Sequence, residues 1–85
     1  MNYKIKFSNR GEKDFALVKK SPLKKKAFEI LQVLEVDPYK KPCEKLQGNL
    51  QGSFSKRLNL QHRIVYEVRE SEKIVNITAM WTHYE

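Results

Sequence analysis

The spacing of Leu23, Ala27, Ile30, Leu31 and Leu34 constrains this chain most. Intervals of three and four residues put these side chains on one face of a helix. Ser21 offers a capping hydroxyl and Pro22 suits a first helical position, so the helix is expected over 22–36. Asp37-Pro38 should end it, because the residue before a proline is pushed out of the helical region. Such a stripe must be buried against another layer. In 85 residues the cover has to come from one small domain, taken as 1–85, with a modest core.

The rest of the chain supplies that layer. Tyr3, Ile5 and Phe7 alternate as in a strand over 3–7. Asn9 with Glu12 fits a capping box, and a first helix over 10–20 carries Phe15, Leu17 and Val18. Gly11 costs that helix propensity. Residues 37–52 hold both remaining prolines and two glycines and read as an irregular loop. Three strands are expected at 53–59, 63–69 and 73–81, with tight links near Leu60-Gln61 and Glu70-Ser71-Glu72. Short links favour antiparallel pairing. The expected order is β-α-α-β-β-β, an α+β fold with a two-helix hairpin on a mostly antiparallel sheet.

Charge narrows the partners. Seventeen Lys+Arg against ten Asp+Glu give a formal charge of +7, which calls for an acidic partner such as nucleic acid, an acidic protein or an anionic surface. No apolar run approaches the ~20 residues of a spanning helix. Residues 1–7 alternate and lack the apolar centre of a signal peptide. Cys43 is the sole cysteine, so no internal disulfide forms and a reducing cytoplasm is the expected setting.

Alternation also sorts the sheet faces. Phe54, Leu58 and Leu60 share one parity, and Ile64, Tyr66 and Val68 share another that suits the core. Arg57 and Arg63 fall on the opposite sides of their strands and can project together from the face away from the helices. Paired guanidinium groups suit a phosphate. Cleaving RNA through its own 2′-hydroxyl requires a base, an acid and a cation for the charge that builds on the phosphate. The acid near neutral pH is naturally histidine, and only His62 and His83 are present. His62 lies beside a hairpin turn and reads as structural. Taken singly, His83 also reads as a solvated terminal residue, Glu44 as a loop carboxylate, Arg63 as a surface strand arginine and Lys24-Lys25-Lys26 as a solvated helix face. An unbroken last strand would put His83 on the side of Val75, Ile77, Ala79 and Trp81. It reaches the arginine face only if that strand twists, bulges or ends near Trp81.

Longer strings carry a resemblance. Pro42-Cys43-Glu44-Lys45-Leu46, Gly48-Asn49-Leu50-Gln51-Gly52, Ser55-Lys56-Arg57-Leu58, His62-Arg63-Ile64-Val65-Tyr66 and the closing His83-Tyr84 resemble the Txe/YoeB family of bacterial toxins, within the RelE/ParE superfamily. The likeness is dense over 42–85. It implies a RelE-like fold and a ribosome-dependent endoribonuclease that cuts mRNA in the A site without metal or cofactor. It implies a cognate acidic antitoxin, the ribosome and mRNA as partners, and is compatible with a homodimer. Carried over by position, Glu44 would be the general base, Arg63 the phosphate clamp and His83 the general acid. Arg57 would contact phosphate, and Tyr84 would position the nucleotide. Gln47 stands where the family commonly has lysine, and Lys45 is the candidate substitute. Glu85 extends the chain past the His-Tyr and adds negative charge there. A ParE-like toxin that binds a protein without cutting RNA is the rival reading, which the Glu44/Arg63/His83 set disfavours. A plain basic RNA-binding domain would need exposed aromatics among its basic residues, but most aromatics here share the core parity.

Overall fold

The computed structural model describes residues 2–45, 53–59 and 62–82, with Trp81 and Thr82 described by backbone alone. The elements are β1 (Lys4–Phe7), α1 (Asn9–Lys19), α2 (Lys24–Val36), β2 (Glu44–Lys45), β3 (Ser53–Arg57), β4 (Arg63–Arg69) and β5 (Ile74–Thr82). The five strands form one sheet in the order β1-β5-β4-β3-β2. β1 runs parallel to β5, and every other neighbouring pair is antiparallel. The α+β arrangement and the mostly antiparallel sheet are those expected from the sequence.

The helix stripe does what its spacing requires. Ala27, Ile30, Leu31 and Leu34 are buried, and they pack with Val18, Ile64, Tyr66, Val75, Ile77 and Met80 in one core. Fully burying side chains of this kind contributes about 1.5–3 kcal/mol each. Phe15 extends the contact between layers, stacking on Phe7 at 5.0 Å and meeting Phe28 edge-on at 5.5 Å. Among the described residues, no helix is long and apolar enough to cross a membrane.

Three local expectations are corrected. First, α1 is capped by Ser8, not Asn9: the Ser8 Oγ accepts from Gly11 N at 3.0 Å and donates to the Thr78 carbonyl at 3.2 Å. A tertiary partner therefore decides the cap. Second, α2 begins at Lys24, two residues later than Pro22, with Leu23 at its N-cap. Ser21 is occupied elsewhere, donating to the Val18 carbonyl at 2.7 Å and accepting from Leu23 N at 3.1 Å. It closes α1 and shapes the turn. Third, the expected loop over 37–52 contains a short strand, β2, which pairs with β3.

Gly11 has a reason that helix propensity hides. A Cβ there would collide with the backbone carbonyl oxygen of Ile77. The glycine lets α1 lie directly on β5, so the propensity cost is offset by close packing of helix on sheet.

Candidate functional site

The β3–β4 hairpin sets the register of the site. Leu58 N and Asn59 N both donate to the His62 carbonyl, at 2.8 and 3.3 Å. Asn59 Oδ1 accepts from His62 N at 2.7 Å. A side chain thus mimics a backbone turn. His62 is buried there, in keeping with a structural part. This closure puts Arg57 directly opposite Arg63, and Arg63 opposite Thr82 on β5.

Glu44 enters from the sheet's edge. It stands opposite Ser55, and Ser55 lies two residues before Arg57 on the same face. The Arg63 side chain runs back along that face. Its Nη1 donates to Glu44 Oε1 at 2.7 Å and reaches Ser55 Oγ at 3.5 Å. A carboxylate from β2 and a guanidinium from β4 therefore meet over β3. The Glu44 side chain is 61% exposed and that of Arg63 27%, so both remain open to a ligand. Arg57 is exposed and forms no ion pair among the described residues.

Glu44, Arg57 and Arg63 are brought together. Lys45 is not: it stands opposite Phe54, so alternation turns it to the other side of the sheet from Glu44. His83, Tyr84, Gln47 and Glu85 lie outside the described residues, as does the Leu60-Gln61 link. β5, the strand that precedes His83, pairs irregularly with β4. The β4–β5 ladder shifts register between Arg63 and Val65, and again between Val65 and Tyr66. The core side of β5 passes from Val75 and Ile77 to Met80, a break in simple alternation.

An open groove of about 990 Å³ flanks the Glu44 edge, between α2, residues 40–44 and β3. Ile30 and Val33 line its helix side, and Lys26, Lys40 and Lys41 add positive charge. One further residue belongs to this edge. Lys56 shares the core parity of Phe54 and Leu58 and is only 7% exposed. Its Nζ donates to the carbonyls of Lys40 and Pro42 at 2.6 and 3.0 Å. Burial pushes its ammonium pKa down. A charged residue at core parity was the available signal.

At the far end of the sheet, Glu70 accepts from Tyr3 at 2.6 Å, from Tyr39 at 3.0 Å and from Lys73 at 3.0 Å. The Tyr3 hydroxyl, followed by Lys73, holds its carboxyl below the usual value. Burial and then Glu70 push Tyr39 up to about 12. Among the described residues, no cluster of three or more His, Cys, Asp or Glu is placed to hold a metal ion.

The sequence pattern of the YoeB-like toxins of bacterial type II toxin-antitoxin systems matches residues 7–84. No curated protein matches the chain. Among solved structures, the YoeB dimer from Staphylococcus aureus is 28% identical, with a TM-score of 0.83 over 99% of this chain and 100% of that one. The same coverage and identity hold for the heterotetrameric YoeB-YefM toxin-antitoxin complex from that organism, at a TM-score of 0.80. A YoeB/ParE toxin from Agrobacterium tumefaciens gives a TM-score of 0.87 over 95% of this chain and 99% of that one, at 21% identity. That last likeness concerns the fold.

Proposed function

We propose that this chain, which belongs to the YoeB-like toxins of bacterial type II toxin-antitoxin systems, is a ribosome-dependent mRNA endoribonuclease that stops translation by metal-free acid–base cleavage in the A site. The observation that carries the reading is the contact between Glu44 and Arg63, with Arg57 opposite Arg63 on the same sheet face.

The chemistry follows from that arrangement. A phosphodiester laid on Arg57 and Arg63 gives each guanidinium an anionic partner. Glu44 then lies beside the phosphate, where it can take the proton from the adjacent 2′-hydroxyl. Arg63 and Arg57 hold the charge that develops on the phosphoryl oxygens. His83 returns a proton to the departing 5′-oxygen. Tyr84 orients the nucleotide, and Lys45 contributes positive charge from the sheet's other side. The +7 surplus draws the protein to ribosomal RNA.

The same charge suits an acidic antitoxin. The S. aureus YoeB is found both as a dimer and with YefM, and we assign this chain an antitoxin and a bacterial cytoplasmic setting by that likeness. An acidic antitoxin segment should set a carboxylate against Arg57 and Arg63 or displace the 81–85 tail. A structure of the complex with Glu44, Arg57, Arg63 and His83 open and unmoved would reject that mode of inhibition.

Product chemistry tests the nuclease reading. Ribosome-bound mRNA should yield a 2′,3′-cyclic phosphate and a 5′-hydroxyl, and EDTA should not stop the cut. A 5′-phosphate formed only with Mg²⁺ would overturn the mechanism. Intact mRNA beside arrested growth would favour the ParE-like alternative.

A further inference from the structure

We propose that Lys56 is a positioning residue for Glu44: it ties the strap before β2 to the back of β3, and so holds the Glu44 carboxylate in register with Ser55 and Arg63. This assignment rests on the nuclease reading for its catalytic consequence, and on geometry for its structural one.

β2 is only two residues long, Glu44–Lys45. A strand that short cannot fix its own register by ladder bonds. The strap leading into it has no regular structure to stiffen it, so its anchors decide where Glu44 lies. Tyr66 Oη donates to the Pro38 carbonyl at 2.7 Å and secures the start. Tyr39 is held by Glu70 and by Asp37, whose Oδ1 accepts from Tyr39 N at 3.0 Å. The stretch next to Glu44 is tied to the sheet by Lys56, through the Lys40 and Pro42 carbonyls.

The cost of this lysine points the same way. Lys56 forms no ion pair among the described residues. Burying an ammonium without a counter-charge is expensive, and an apolar side chain would suit the neighbourhood of Phe54 and Leu58. What an apolar side chain cannot do is donate to two carbonyls of the strap. Alternation puts Ser55 and Arg57 on the site face and Lys56 behind it. Lys56 therefore acts on Glu44 through the strap and touches no substrate.

The test compares Lys56→Met with Lys56→Arg in the full chain. Lys56→Met should slow single-turnover cleavage at saturating ribosomes by about 10²-fold, the scale of a small misplacement of a catalytic group. Affinity for ribosomes should stay near wild type, and Lys56→Arg, which keeps the donors, should recover most of the rate. Amide exchange should show protection lost in the β2–β3 ladder and kept in β4 and β5. Should Lys56→Met fail to fold, Lys56→Gln replaces it with the same expected pattern. Wild-type rate and ladder protection in Lys56→Met, or protection lost evenly over the whole sheet, would overturn the proposal. A wild-type protein inert on ribosome-bound mRNA would reject the nuclease reading instead, and ladder protection would then decide the role of Lys56.

Discussion

Arg57 and Arg63 stand directly opposite each other on neighbouring strands, two like charges on one sheet face. Directly opposed like charges destabilise a sheet by roughly 0.2–1 kcal/mol. Glu44 relieves Arg63 but leaves Arg57 exposed. Such a pair has a use if an anion is to lie across it. Arg57→Gln should therefore leave the denaturant midpoint unchanged or raise it slightly, while weakening cleavage of ribosome-bound mRNA. Chemical denaturation beside single-turnover kinetics checks both. Loss of stability with unchanged cleavage would assign Arg57 to the scaffold.

Gly11→Ala should be destabilising although it improves helix propensity. The propensity gain is about 1 kcal/mol. Against it stands a collision with the backbone carbonyl of Ile77, which cannot rotate away, and overpacking typically costs about 1–3 kcal/mol. The midpoint of urea unfolding should fall. A rise would mean that α1 moves off β5 without penalty.

The three lysines opening α2 oppose its dipole, since Lys24, Lys25 and Lys26 occupy the end where cations are disfavoured and the first turn holds no acidic residue. Replacing all three by Gln should leave stability equal or slightly higher. It should also flatten the salt dependence of ribosome binding, because fewer counterions are released. Binding measured across a salt series decides this, and an unchanged slope would reduce the run to a solubility feature.

The Glu70 cluster gives a pH signature. Its carboxyl titrates below the usual value, so its contribution is present above about pH 4.5 and lost as the pH falls through the lowered value. Tyr39 is raised, so its contribution is complete below pH 10 and lost as the pH rises through about 12. In Glu70→Gln, the phenol of Tyr39 should titrate lower by NMR but remain above its ordinary value, because burial is the larger cause. Tyr3, raised first by its bond to Glu70, should lose more of its shift. Unmoved titrations would detach Glu70 from both rings.

Much of this was legible in the sequence because it is periodic. The α2 stripe, the three longer strands and the shared face of Arg57 and Arg63 all follow from spacing. What escaped depends on partners distant in the chain. Ser8 wins the α1 cap through the Thr78 carbonyl. β2 is a strand only because β3 pairs with it. The shift of the core side to Met80 comes from the bulged β4–β5 ladder. Lys56 bonds to backbone carbonyls, which side-chain patterns do not reveal. Glu44 and Arg63 were nameable by resemblance, but their 2.7 Å contact across β3 needed the fold.

The most direct test is single-turnover cleavage of ribosome-bound mRNA by Glu44→Gln against wild type. The Glu44–Arg63 pair is exposed enough that its loss should alter stability by no more than about 1 kcal/mol. A fall in rate would then reflect chemistry and not unfolding. The expected result is a rate about 10²–10⁴-fold lower, with ribosome binding and the unfolding midpoint close to wild type. Cleavage at the wild-type rate would contradict the assignment of Glu44 as the base.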